Sequence, residues 1–166
     1  QIPTQTQTLF MNTRRSVFKD RYVREAMGLM FDFEWTNRTL FSNAYKRSSS
    51  YYPNSVFAAV EKPEGQEWLL LSPYRKQLQA RLFMEPFKLP QTHGNGIPRE
   101  TLRKALGLLA KAGWKPGGQG LVNDRGEPLR FEIMLVNPNL ERILQPYVAN
   151  LASLGIEARL RTVDRA

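Results

Sequence analysis

The chain has no cysteine, a single histidine and no long apolar run. Without cysteine there are no disulfides and no thiolate zinc sites, and neither a reducing nor an oxidising compartment is favoured. The lone His93 excludes a histidine-rich metal site, and it reads as an exposed loop residue. No apolar stretch approaches the about 20 residues needed to cross a bilayer; the densest patch is Trp68 to Leu71. The residues after Gln1 do not make a basic-then-apolar leader, and both Gln1-Ile2-Pro3 and the stretch from Val163 to Ala166 read as the ends of a piece of a longer chain. Acidic residues are also scarce, 15 against 24 lysines and arginines, for a net charge of +9. Such a balance is one footprint of nucleic-acid binding. Here the cations are scattered, and the densest group, Arg99, Arg103 and Lys104, shares the polar side of one helix. A solvated face explains them, and a basic nucleic-acid-binding domain stands as the alternative.

What is present is a chain of 166 residues, long enough for one domain, 1–166, with a real core. Leu9, Phe10 and Met11 lie in a weakly alternating stretch that predicts a strand near 6–12. Asp20 sits where an N-cap belongs, and Val23, Ala26, Met27, Met30 and Phe31 follow at helical spacing. Asp32 restarts or continues that helix toward Phe41. Tyr45 to Ser55 is a polar, aromatic and irregular loop. Short helices are expected over 56–62, from Glu67 to Leu71 and from Arg75 to Phe83. Pro86, Pro90 and the stretch from Thr92 to Gly96 form a second irregular connection. Pro98 opens a helix whose buried stripe reads Leu102, Ala105, Leu106, Leu109 and Ala110, and Gly113 ends it. Trp114 to Gly120 reads as a glycine-rich turn. Leu121-Val122 and Leu129 to Val136 read as the arms of a hairpin around Asn123 to Gly126. A helix after Asn137-Pro138, carrying Leu140, Ile143, Leu144, Tyr147, Val148 and Leu151, leads into a strand from Ile156 to Val163. Strand, helix, strand at this spacing is a right-handed βαβ unit with parallel strands. The fold class is therefore α/β with α+β character: a mixed sheet with a βαβ unit and packed helices.

Catalytic chemistry finds little support. Gly117-Gly118-Gln119-Gly120 lacks the lysine and hydroxyl residue of a P-loop and leads into a strand. The carboxylates form no obvious acid–base pair; Asp20 and Asp32 are explained by capping, and Glu132 points by alternation to solvent or to a neighbouring element. Ser48, Ser49 and Ser50 have no base partner other than His93 and lack a nucleophile elbow. The sequence reads as a non-enzyme with no cofactor. The loop from Tyr45 to Ser55 is different. Tyrosines offer flat area with a polar tip, and serines offer adaptable hydrogen bonds. That mixture suits the wall of a site for a polar, extended ligand, and equally a solvated loop with half-buried tyrosines.

Four stretches together resemble a known family. They are Asn12-Thr13 with Phe18-Lys19-Asp20, Val23-Arg24-Glu25-Ala26 and Phe31-Asp32-Phe33-Glu34; the loop from Arg47 to Ser55; Leu102-Arg103-Lys104-Ala105 through Ala112-Gly113-Trp114; and Leu154-Gly155-Ile156 with Arg161 to Asp164. In this order they are similar to the extracellular solute-binding proteins of family 5, closest to the Yej-type branch linked to oligopeptide uptake. The resemblance implies most of the second, C-terminal lobe of a two-lobed periplasmic binding protein, exported on a signal peptide outside this chain. It implies a peptide ligand held between lobes, a missing first lobe as partner, and ABC permease subunits as the receiver. It also implies ligand contacts from Asn12 and Thr13 at a strand end and from Arg47, Ser48, Ser50 and Tyr51 in the loop. The acidic partner of a peptide amino terminus would lie beyond Ala166.

Overall fold

The computed structural model describes residues 7–118 and 120–164, which gather into two compact units. The larger is built on Leu9–Ala44 and Gln91 onward, the smaller on Tyr45–Pro90.

The larger unit opens with a turn at Asn12 and a single-turn helix α1, Ser16–Lys19. Asp20 then leaves the helical region and caps α2, Arg21–Leu29, its Oδ1 accepting the Tyr22 N–H at 2.6 Å. The Arg24 guanidinium donates to the carbonyls of Phe18 and Lys19 at 2.7 and 2.8 Å, closing the end of α1 whose C=O groups have no helical partner. Asp32 caps α3, Phe33–Phe41, by accepting the Trp35 N–H at 3.0 Å. The stripe expected on α2 is the centre of the core: Val23, Ala26, Met27 and Met30 are fully buried.

Pro98 and Gly113 bracket α5, Arg99–Lys111, which packs on α2. Its inward residues are Leu102, Ala105, Leu108, Leu109 and Ala112. The expected Leu106 and Ala110 instead face out, so the stripe is rotated by part of a turn toward Leu108, which continues the i, i+3, i+4 series from Ala105. After α5 come β1, Lys115–Gly117, and β2, Gly120–Val122, paired antiparallel. β3, Arg130–Leu135, and β4, Glu157–Thr162, pair in parallel from Arg130 opposite Glu157 to Leu135 opposite Thr162. The crossover is a 3-10 turn at Pro138–Leu140, capped by Asn137, followed by α6, Glu141–Ser153. This is the expected βαβ unit. Ile133 and Leu135 point into the core while Arg130, Glu132 and Met134 face out, as alternation requires. The parallel and antiparallel pairings are thus carried by two two-stranded sheets.

Four further expectations are corrected. Residue 6 of the strand expected over 6–12 lies outside the described residues, and residues 7–12 are not strand. A strand needs a neighbour to share its ladder, and no described strand pairs with this stretch; Leu9 and Phe10 are exposed. The hairpin from Leu121 to Val136 is split. β2 takes β1 as its partner, from the stretch expected to be only a turn, and the second arm joins it only through the Val122–Pro128 bridge and the Leu129 N–H to the Leu121 carbonyl at 2.8 Å. In the smaller unit, 56–62 makes no helix, because one turn closed by the Ala58 N–H on the Ser55 carbonyl is too short to sustain one. Of Arg75–Phe83, only the end is helical, as a 3-10 turn at Ala80–Phe83. The helix near Glu67 is present as α4, Gly65–Leu71.

Two contacts fix the larger unit and generate tests. The Leu121 N–H donates to the Gly155 carbonyl at 2.9 Å, and the backbones of Gly120 and Gly155 meet so closely that a Cβ on Gly120 would lie 2.3 Å from the Gly155 oxygen. Both glycines have positive φ, 123° and 80°. Gly155→Ala and Gly120→Ala should each cost about 2 kcal/mol or more, whereas Gly118→Ala, with open space around it, should be close to neutral; thermal unfolding compares the three. The Tyr147 hydroxyl, on α6, donates to the Met27 carbonyl at 3.2 Å, and burial holds its pKa well above the ordinary tyrosine value. The unfolded chain ionises this group first, near pH 10. Stability should therefore be insensitive to Tyr147 below that pH and fall above it by about 1.4 kcal/mol per pH unit. Denaturant titrations at pH 9 to 11 should show a shallower alkaline loss in Tyr147→Phe.

Candidate functional site

Of the six residues that the resemblance singles out, Asn12 and Thr13 belong to the larger unit and Arg47, Ser48, Ser50 and Tyr51 to the smaller. Asn12 and Thr13 sit at the tip of a turn, both exposed. The Asn12 Oδ1 accepts the Arg14 N–H at 3.0 Å and its carbonyl accepts the Arg15 N–H at 3.0 Å. This is an Asx turn. The acceptor side of Asn12 is committed to the backbone, and its NH2 group is what it has to offer.

The loop of the smaller unit holds itself together. Arg47 reaches across the sequence and donates from Nη1 to the Pro90 carbonyl, joining the two ends of the unit. Ser48 Oγ donates to the Ser50 carbonyl at 2.8 Å. Ser50 Oγ accepts two backbone N–H groups, from Tyr52 and Ala59, each at 3.2 Å. A hydroxyl has two lone pairs and one hydrogen, so Ser50 keeps its O–H to donate. Ser55 Oγ donates to the Tyr52 carbonyl at 2.8 Å and accepts the Phe57 N–H at 3.2 Å, and the rings of Tyr52 and Phe57 meet edge to face at 6.3 Å. On this frame Tyr51 is 92% exposed, with Val56 at 93% and Phe57 and Tyr52 exposed beside it. Arg47 and Ser48 are thus engaged in building the loop, and Tyr51 is one of several large side chains it presents. His93, in the larger unit, is exposed on its loop.

A second polar centre in the larger unit was not foreseen. Asp32 is only 5% exposed, and its capping role is half of what it does. Its Oδ1 also accepts the Thr92 hydroxyl, and its Oδ2 accepts the Gly96 N–H at 3.0 Å. Glu34 Oε2 accepts the Thr92 N–H and lies 3.0 Å from the Thr92 hydroxyl, so two carboxylates compete for one hydroxyl hydrogen. Arg38 donates from Nη2 to the Gly94 carbonyl. The first turn of α3 therefore clamps residues 92–96. Beside the clamp is a cavity of about 330 Å³ lined by Phe31, Trp35, Arg38, Asn95, Tyr147 and Asn150, among others. The local half of this arrangement is written in the sequence, since Asp before a helical stripe is a cap. The distant half joins residues some sixty positions apart, and its only local trace is a Thr-x-Gly-x-Gly stretch.

Asp32→Asn tests the clamp. Asparagine caps a helix as well as aspartate, but its NH2 would face one of the donors that now point at the carboxylate. The variant should keep α3, expose the Gly96 amide to faster hydrogen exchange, and lose about 1–3 kcal/mol of stability.

The chain was compared with known proteins. All of it, residues 1–166, matches the family described as bacterial extracellular solute-binding proteins, family 5 Middle. It is 41% identical over 162 residues to the uncharacterised protein YejA of Escherichia coli, covering 97% of this chain and 27% of that protein. It is 35% identical over 164 residues to the peptidoglycan-binding protein YepA of Agrobacterium fabrum, covering 98% of this chain and 27% of that one. Among solved structures, NikA from Brucella suis, in complex with Fe(III)-EDTA, shares the fold with a TM-score of 0.61 at 20% identity, over 95% of this chain and 26% of that one. The chain thus spans about a quarter of the length of the curated relatives it matches. Its paired strands, helical crossover and match over every residue place it in one group: this chain belongs to the bacterial extracellular solute-binding proteins of family 5.

Proposed function

We propose that the protein containing this chain is the substrate-binding component of an ABC importer. It takes oligopeptides in a cleft between two lobes, in the periplasm, and delivers them to membrane permease subunits. Residues 1–166 contribute most of one lobe and part of one cleft wall. The observation that carries the reading is the loop from Arg47 to Ala59. Arg47, Ser48, Ser50 and Ser55 make its internal bonds, and that frame leaves Tyr51 almost wholly exposed and the Ser50 O–H available to donate. A preorganised loop with a presented tyrosine binds without first paying to order itself. Asn12 and Thr13 supply a second polar contact from an ordered turn. Closure of the lobes on the ligand then gives the state the permease recognises. No catalytic step is required, and the family to which the chain belongs is one of binding proteins. The basic nucleic-acid reading gains nothing from the comparisons.

Titration calorimetry on the full-length protein with a set of peptides tests this. Peptide binding is expected, and Tyr51→Ala should weaken it by about tenfold, or about 1.4 kcal/mol. Ser50→Ala should weaken it too, by releasing the Tyr52 and Ala59 amides from their shared acceptor. Absence of heat with every peptide, alongside binding of a metal chelate or of a glycan without a peptide, overturns the assignment of ligand.

A further inference from the structure

Helix α1 cannot stand by itself. It is four residues long, its N-terminus has no side-chain cap, and a single turn does not repay its own nucleation in water. Two side chains hold it. Phe18 is buried, its ring edge-on to Phe131 of β3 with centroids 4.9 Å apart. Arg24, half-buried on α2, donates from one nitrogen, Nη1, to both the Phe18 and the Lys19 carbonyls, at 2.7 and 2.8 Å. A guanidinium on backbone carbonyls makes charge-assisted bonds, and it sets positive charge where the helix dipole is negative. From this fork an unbroken series of hydrogen bonds runs back to the turn before α1. The Phe18 N–H donates to the Arg15 carbonyl at 3.0 Å, and the Arg15 N–H donates to the Asn12 carbonyl at 3.0 Å. The Arg14 N–H closes the Asx turn on the Asn12 Oδ1 at 3.0 Å. The tip that carries Asn12 and Thr13 is thus held from behind, by a residue on the next helix.

We infer that Arg24 is a positioning residue for the solute site: by anchoring the end of α1 it sets the pose in which Asn12 and Thr13 meet the ligand. This rests on the reading of those two residues as ligand contacts. Contact groups ordered before the ligand arrives cost less to order when it binds. Slack in the fork therefore shows as lost affinity, even though Arg24 acts only through the turn. Phe18 anchors the same helix by packing, but the guanidinium is what holds the two carbonyls at its end. A planar fork on two acceptors is also a task that lysine does only in part, because its ammonium is a point charge on a flexible stem.

Hydrogen exchange and peptide titration calorimetry on the full-length protein test it together. In Arg24→Met the Arg14, Arg15 and Phe18 amides should exchange roughly tenfold faster, while the amides of the fully buried Leu109 and Leu151 keep their rates. Peptide affinity should fall by about fivefold, and adding Asn12→Ala to Arg24→Met should cost little more than the larger of the two single losses, as expected when one residue acts through the other. Arg24→Lys should show the same pattern in weaker form, and it guards against a variant that fails to fold. Unchanged exchange in the turn overturns the inference. So does faster exchange spread evenly into the core, or a double variant whose loss is the product of the single ones. A wild-type protein that binds no peptide defeats the ligand assignment instead, and the exchange rates then decide alone whether the fork holds the turn.

Discussion

The larger unit depends on one problem at the end of α2. Most of its last turn is buried, and helix ends leave carbonyls without helical partners. Burying an unpaired carbonyl costs more than the packing around it returns. α6 adds donors from 120 residues away: the Tyr147 hydroxyl donates to the Met27 carbonyl, which also accepts the Met30 N–H at 3.2 Å, and the Asn150 amide donates to the Met30 carbonyl. Both donors lie on the side of α6 that carries Leu144 and Leu151 into the core. The apolar contact therefore orients the polar one, and the polar one fixes which part of α6 meets α2. The same helix is the crossover between β3 and β4, so the parallel strand pair and the first helices share one point of support.

The surface charge obeys a different logic. Ion pairs among the described residues of the larger unit are exposed: Lys115 with Asp124 at 2.8 Å, Arg161 with Glu132 at 3.4 Å, and Arg159 with Glu157. Pairs of this kind add little to stability. On β3 and β4 the charged residues alternate in sign across the outward face, with Arg130 in register with Glu157 and Glu132 with Arg159. That keeps opposite charges opposite and makes a slipped register unfavourable. The excess of positive charge in the chain is therefore compatible with local neutrality where strands meet.

How much could be read from the residues follows the range of the interaction. Asp20 and Asp32 as caps, Pro98 before α5 and the alternation of β3 are local signals, and each is present. So is the βαβ unit, because its spacing and its alternation agree. The stretch from Leu9 to Met11 is the opposite case. Its composition suits a strand, but strand formation is a property of a pair. β1 went unnoticed for the same reason, since Lys-Pro-Gly has poor strand character and is held by β2 alone. Half of the candidate site was legible in the same way. The loop at 45–55 shows its irregularity and its tyrosines in sequence. That Arg47 reaches Pro90, and that Asp32 holds Thr92 and Gly96, depends on partners 43 to 64 residues away.

The bond from Arg47 to the Pro90 carbonyl makes the stretch between them a closed excursion, with its entrance and exit pinned together. A chain tethered in this way changes length at little entropic cost, because closure entropy grows only with the logarithm of loop length. Residues can be added to or removed from this excursion without changing α3 and α5, the helices that precede and follow it in the chain. The excursion is thus a unit that evolution can rewrite by itself, reshaping what the protein meets while the supporting α/β frame stays as it is.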